Sequence, residues 1–348
     1  MNTIIINGTD DEKFSDAAKA LRDGKLVAFP TETVYGLGAN ALNAEAVEKI
    51  YEAKGRPSDN PLIVHIAEVS TLNELVLEIP DVAASLIKTF WPGPLTMIFK
   101  KSNLVPGITT AGLDTVAVRM PDNPIAQKLI KESGVPVAAP SANLSGRPST
   151  TIFKHVIEDL YGRVEYIIDG GPCEVGVEST VLDVTTDIPV ILRPGGISLE
   201  MLEGVLGKVY TDPVLEIKGD VKPHSPGMKY RHYSPKADMI LISGESNSVV
   251  EKINVLVKES RAKGLKAGVL TSHENAHKYD ADVIEEVGSK EHAEQIAAGL
   301  YDSLRSFDER KVDIIYSETF EEKGIGRAIM NRLKKASSGK IIEVKEGN

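Results

Sequence analysis

Three short polar clusters carry the side chains with which this chain could do chemistry. They are Thr31-Glu32-Thr33, running on to Gly36 and Gly38, then Lys54-Gly55-Arg56, and then Ser141-Ala142-Asn143. Each stands at the end of an apolar or helix-like run. Hydroxyls, a carboxylate and an amide suit a small hydroxylated ligand, whereas cations and exposed backbone N–H groups suit phosphate. Further cations sit at element ends. Arg119 closes an apolar strand, Arg147 lies in the loop after Asn143, and Arg193 follows Val190-Ile191-Leu192. Strand ends and loops are where sites are built on rigid scaffolds. Any one of these cations alone reads as a solvated surface group. Their joint placement points to a pocket for an anionic nucleotide. The segment from Thr31 to Gly38 has a second reading, a turn closed by local side-chain-to-backbone bonds.

Common catalytic signatures are missing. There is no G-x-x-x-x-G-K-[ST] phosphate loop, no metalloprotease motif and no Ser/His/Asp order. His65 lies inside an apolar strand and reads as a core histidine. Ser179 reads as an ordinary strand-start serine, and Cys173 as a small buried or loop residue. With no clear nucleophile, the expected chemistry is transfer between bound substrates by positioning and charge stabilisation.

The elements that must hold these residues follow from periodicity. Strands are expected at Thr3–Ile6, Lys25–Phe29, Leu62–Ile66, Leu95–Phe99, Val116–Arg119, Val135–Ala138, Tyr166–Ile168, Ser179–Val184 and Val190–Leu192. Helices are expected at about 12–22, 43–54, 80–90 and 123–132, with Asn43 as an N-cap and Pro124 in a first turn. Several strands adjoin without an intervening helix, which predicts a twisted mixed sheet rather than a doubly wound parallel one. Residues 217–237 break the pattern with prolines, a glycine and Tyr230-Arg231-His232-Tyr233, and read as an extended linker. Beyond it a regular α/β alternation predicts a smaller three-layer domain with a mostly parallel sheet. The expected organisation is therefore 1–216, a linker 217–237, and 238–348.

At 348 residues the chain is long for one domain. Its net charge is −10, and acidic residues outnumber basic ones on both sides of residue 237, so a broad basic face for nucleic acid is not expected. One cysteine rules out an internal disulfide and a cysteine-based zinc cluster. The N-terminus has no signal-peptide pattern and no apolar run reaches spanning length, so the expected location is cytoplasmic, with no membrane partner.

The segments Thr31–Gly38, Lys54–Arg56 with Asn60-Pro61-Leu62, Trp91–Thr96, Val118–Pro121, Ala139–Gly146 and Ser179–Val181 resemble the YrdC-type threonylcarbamoyl-adenylate synthases. Ser225–Pro235 and the α/β segment after it resemble the linker and C-terminal domain of the longer, two-domain members. The resemblance implies a reaction in which L-threonine, bicarbonate or CO2, and ATP with Mg2+ give threonylcarbamoyl-AMP and pyrophosphate. The product would serve N6-threonylcarbamoyladenosine formation in tRNA, through a downstream tRNA threonylcarbamoyl transferase, with direct tRNA contact left open. It implies Arg56, Asn60, Thr115, Ser141, Asn143, Ser149, Arg193 and Tyr233 as ATP-binding, and Thr33, His65, Arg119, Ala139 and Ser179 as threonine-binding. Lys54 and Arg56 would be the catalytic cations on the triphosphate, with no protein-held metal. Arg119 would pair with the substrate carboxylate. The linker would act as a lid over the labile product. Two rivals stand beside this reading: a carbamoyl-adenylate enzyme of hydrogenase maturation, disfavoured by the single cysteine, and a non-enzymatic RNA-binding module.

Overall fold

A computed structural model of the chain describes residues 1–8, 11–212 and 233–344. They divide into two compact units. The first runs through residue 212 apart from Gly146–Pro148, which group with the second, and the second takes the residues from 233 onward. Most of the expected linker, with the proposed lid residues Tyr230 to His232, lies outside the described residues.

The first unit begins β1 (Ile4–Asn7), α1 (Asp11–Arg22), β2 (Val27–Phe29), β3 (Gly36–Asn40), α2 (Ala44–Lys54), β4 (Ile63–His65), α3 (Leu72–Leu75) and α4 (Asp81–Phe90). It continues β5 (Leu95–Lys100), β6 (Thr115–Arg119), α5 (Pro124–Ser133), β7 (Val137–Ala138) and α6 (Phe153–Leu160). It ends β8 (Tyr166–Asp169), β9 (Thr180–Asp183), β10 (Val190–Arg193), α7 (Leu199–Leu206) and β11 (Tyr210–Thr211). The strands form one sheet in the order β1-β8-β2-β3-β7-β4-β6-β5-β9-β10-β11. Pairings such as β4–β6 and β5–β9 are parallel, whereas β2–β3, β5–β6 and β9–β10 are antiparallel. The sheet is mixed, as expected.

Alternate residues of the central strands divide between two apolar layers, because successive side chains leave a strand on opposite faces. Ala28, Leu37 and Ala138 enter the core that contains α2 residues Val47 and Ile50. Val27, Phe29 and Val137 enter the other, with Phe14 of α1 and Leu129 of α5. The helix ends follow capping chemistry. Asn43 accepts a hydrogen bond from Ala46 N at 3.1 Å, and α2 stops at Gly55, whose φ of 60° is open to glycine. This stop delivers Lys54 and Arg56 to the site.

Strand β3 is not anticipated by periodicity, since it reads Gly-Leu-Gly-Ala-Asn. The reason is packing. A Cβ on Gly38 would lie 2.8 Å from both Phe29 Cε1 and Val137 Cγ1, so the neighbouring strands fill the space a side chain would need. Helices α6 and α7 are also additions to the expected list. Helix α7 carries a recognisable start, with Ser198 Oγ accepting from Met201 N at 3.3 Å.

The second unit runs β12 (Asp238–Ser243), α8 (Ser246–Ala262), β13 (Ala267–Thr271), β14 (Val283–Glu286), α9 (Ala293–Glu309), β15 (Ile314–Glu318), α10 (Gly326–Ala336) and β16 (Ile341–Glu343). Its sheet order is β14-β13-β15-β12-β16, and every pairing is parallel. Crossing from β12 to β13 runs one way along the sheet, and crossing from β14 to β15 and on to β16 runs the other way. Right-handed crossovers then put α8 on one face and α9 with α10 on the opposite face, giving three layers. At the carboxyl ends of β13 and β15, buried Glu318 accepts from Thr271 Oγ1 at 2.8 Å, Asn275 Nδ2 at 2.9 Å and Tyr279 OH at 2.6 Å, and pairs with Lys290 at 2.8 Å. Burial works to raise this carboxyl, but Lys290 and the hydrogen bonds outweigh it and hold it low.

One glycine ties the fold of the first unit to its site. A Cβ on Gly195 would lie 2.3 Å from Glu178 O, from the Ser179 carbonyl carbon and from Thr180 N. None of these backbone atoms can swing aside. Gly195→Ala is expected to destabilise the protein by about 3 kcal/mol, the upper end for overpacking, measured as a drop in the urea midpoint.

Candidate functional site

Four of the side chains singled out in the sequence meet at one end of the central strands. Strands β4 and β6 run parallel with His65 opposite Arg119, and β5 runs antiparallel to β6 with Thr96 opposite Arg119. Strand β9 begins just after Ser179, and β10 ends at Arg193 beside the start of β9, across a local register shift. The sheet register therefore brings His65, Arg119, Ser179 and Arg193 together from four different strands.

Arg119 is the hub. Its side chain is only 3% exposed. Its Nη1 donates to Thr33 Oγ1 at 2.9 Å, its Nε to Gly93 O at 3.3 Å, and its Nη2 lies 2.7 Å from Glu32 Oε1. The partners on the β2–β3 connection are held by a local turn: Thr31 Oγ1 donates to Val34 O at 2.6 Å and accepts from Thr33 N at 3.2 Å. Val175 N donates to Glu32 O at 2.8 Å. The local turn is present as expected. The turn closes on itself, and in doing so it presents Glu32 and Thr33 to Arg119.

From Arg119 a polar chain crosses the sheet. Thr96 Oγ1 and Ser179 Oγ are 2.8 Å apart, and Arg193 Nη2 donates to Ser179 Oγ at 3.1 Å and to Ser179 O at 2.9 Å. Ala139 follows β7, and its N–H donates to Ile63 O at 2.9 Å. His65 meets Phe29 edge-on with ring centroids 6.4 Å apart. Burial, and then the charge of Arg119, push its imidazole down to about 3, so it stands neutral at pH 7. Of the five residues expected to bind threonine, Thr33, His65 and Arg119 adjoin one another here, Ser179 joins through Thr96, and Ala139 stands beside Ile63 at the other end of β4.

The residues expected to bind the nucleotide form linked pairs in the same unit. Lys54 Nζ donates to the carbonyls of Ser141 and Asn143, and Ser141 Oγ donates to Asn143 Oδ1. Ser141 also bridges Gly36 of β3. Arg56 Nη2 donates to Asn60 O at 3.2 Å, and its guanidinium stands 6.0 Å from the centre of the Tyr51 ring. Ser149 Oγ donates to Glu178 Oε1 at 2.6 Å, next to Ser179. Thr115 starts β6 while Arg119 ends it. The two expected sets are therefore spread along the strands, by roughly 13 Å from Thr115 to Arg119 at about 3.3 Å per residue.

Tyr233 is the last of the residues expected to bind the nucleotide. It lies in the second unit with φ at 64°, its ring stacked on Tyr301 at 5.5 Å and flanked by the Arg332 guanidinium at 5.6 Å. Cys173 is buried, and burial pushes its thiol up to about 12, which leaves it inert as a nucleophile.

Three contributors escape a reading of the sequence by type and spacing. Thr96 hides in an apolar strand, Glu178 in a loop, and Lys54 reads as a phosphate ligand although its ammonium clamps the Ser141–Asn143 loop. A hydroxyl within the otherwise apolar run Leu95–Phe99, with a carboxylate just before Ser179-Thr180, is the one signal that could have flagged the first two.

Comparison with known proteins agrees with this arrangement. A family model for Sua5, YciO and YrdC proteins, described as telomere recombination, matches residues 19–195. A second, described as threonylcarbamoyl-AMP synthase, C-terminal domain, matches residues 197–338. The chain is 55% identical over 336 residues to a threonylcarbamoyl-AMP synthase of Bacillus subtilis, covering 96% of this chain and 95% of that one. It is 44% identical over 359 residues to one of Schizosaccharomyces pombe, covering 93% and 88%. A solved structure of Pyrococcus abyssi Sua5 complexed with L-threonine is 52% identical, with a TM-score of 0.95 over 99% of this chain and 100% of that one. Fold and site define a nucleotidyl-transferring enzyme. The chain belongs to the threonylcarbamoyl-AMP synthase family, in its two-domain form.

Two outcomes follow from this geometry. Lys54→Met keeps the length of the side chain but removes its hydrogen bonds to the loop. It is expected to cost about 1–3 kcal/mol and to speed amide exchange across residues 141–145, read by mass spectrometry. His65 gains protons on unfolding at any pH between its folded value of about 3 and its ordinary 6.5. Stability should therefore fall as pH drops from 6.5 toward 3. His65→Asn should flatten that fall, as read from urea midpoints at pH 7 and pH 4.5.

Proposed function

We propose that the first unit condenses L-threonine, bicarbonate or CO2, and ATP into threonylcarbamoyl-AMP and pyrophosphate, for modification of tRNA in the cytoplasm. The observation that carries this reading is a buried guanidinium, Arg119, at the end of a strand, bonded to Thr33 and flanked by His65 and by Thr96, which holds Ser179. A bidentate cation of that kind suits the carboxylate of an amino acid. The hydroxyl and amide groups of the Ser141–Asn143 loop suit a nucleotide.

The chemistry needs little covalent help. A carbamate on the threonine nitrogen attacks the α-phosphorus through its oxygen. A new P–O bond forms, the α–β bridging P–O bond breaks, and pyrophosphate leaves with that electron pair. Negative charge gathers on the phosphoryl oxygens, so positioned cations lower the barrier. Arg56 and Arg193 are the guanidiniums proposed for this task. Lys54 shapes the nucleotide loop by holding two of its carbonyls. Neutral His65 lets the polar end of threonine enter without adding a second cation beside Arg119. The donors in the nucleotide cluster are hydroxyl, amide and carboxylate oxygens of Ser141, Asn143, Ser149 and Glu178, a hard set that fits Mg2+ arriving with ATP. When bound, that ion neutralises charge on the phosphates.

The test is pyrophosphate release from ATP, Mg2+ and bicarbonate, with and without L-threonine. The wild type should release pyrophosphate only with threonine. Arg56→Ala should lose at least about tenfold in kcat/KM for ATP, which is about 1.4 kcal/mol of transition-state stabilisation. Threonine-independent release, or none from folded protein, contradicts the assignment.

A further inference from the structure

One charged group of the site has no place in the expected binding sets. Glu32 is 6% exposed, and its carboxylate touches Arg119 at 2.7 Å. The two charges meet, yet neither Glu32 oxygen accepts a hydrogen bond among the described residues, and Arg119 Nη2 donates none. Oε1 has the guanidinium beside it, but Oε2 has no partner among the described residues, and a buried carboxylate oxygen without a donor is costly and calls for an explanation. The Glu32 main chain is anchored through Val175 N, and Thr31 closes the turn around it, so the side chain is delivered here by the fold.

The charge count supplies the explanation. Glu32 and Arg119 together are neutral. A ligand that brings only a carboxylate would place two anions on one guanidinium in a water-poor pocket, which is strongly unfavourable. An α-amino acid brings its carboxylate with an ammonium one carbon away. The ammonium restores the balance, and its three N–H donors are what the bare Glu32 oxygens lack. We propose that Glu32 is a specificity-determining residue, which makes the pocket select a zwitterionic α-amino acid over an anion of the same shape. This rests on the reading that Arg119 receives the substrate carboxylate.

The experiment is calorimetric titration of the full chain with L-threonine and with (R)-3-hydroxybutanoate, which is threonine without its ammonium. The wild type should bind threonine and prefer it over 3-hydroxybutanoate by at least about tenfold, or 1.4 kcal/mol. Glu32→Gln should weaken threonine and strengthen 3-hydroxybutanoate, so that the preference collapses. Glu32→Asp, which keeps the charge, should weaken threonine but retain the preference. If Glu32→Gln weakens both ligands equally, Glu32 merely props Arg119 and the proposal is overturned. Equal affinity of the two ligands for the wild type overturns it without any variant. Binding of neither ligand to the folded wild type overturns the amino-acid reading of the site as well.

Discussion

A guanidinium cannot be buried in a sheet without company. Arg119 stands almost wholly out of water, and its charge would be prohibitive there unless it were met by opposite charge and by oxygen acceptors. Much of the first unit can be understood as the supply of that company. The turn after β2 brings Glu32 and Thr33. The segment before β5 brings the Gly93 carbonyl, and β5 itself places Thr96 opposite Arg119. These partners come from two stretches of the chain far apart in sequence, so the surroundings of Arg119 form only when both have joined the sheet.

The same demand explains why the sheet is mixed. Parallel pairing of β4 with β6 puts His65 and Arg119 at the same end, while antiparallel pairing of β5 with β6 turns the start of β5 toward that end. Antiparallel β9 and β10 then bring Ser179 and Arg193 into the same row. A purely parallel sheet would offer only strand carboxyl ends there. This one offers both ends and the tight connections between them, and so assembles a denser polar cluster.

Much of this was legible in the residues. Asn43 and Gly55 mark the two ends of α2 by capping chemistry, and the cations at element ends mark the pocket. The regular alternation after residue 238 gives away the second sheet. What escaped has physical causes. Strand β3 is coded by the side chains of Phe29 and Val137, which take the room beside Gly38, and no local window shows that. The hydrogen bonds of Lys54 to the Ser141 loop cannot be read from spacing, because only the return of that loop brings its carbonyls to the ammonium. His65 looks like a core residue and is one by burial. Its partnership with Arg119 is a matter of strand register, which lies beyond sequence spacing.

The edge of the large sheet carries a consequence for how the chain is made. Strand β1 pairs with β8, Ile4 against Tyr166, so among the described residues β1 has no sheet partner until β8 has been made, far along the chain. At about 5–20 residues per second, that wait is roughly ten to thirty seconds. During it a short apolar strand, with Ile4 and Ile5 at its start, faces the ribosome surface and the chaperones around it. The polar row is later still, because Arg193 ends the tenth strand. The second unit has a delay of its own, since among the described residues its first strand, β12, pairs with β15 and β16, the last two strands to be made. A nascent chain thus holds every residue of that polar row well before Ile341–Glu343 completes the second sheet.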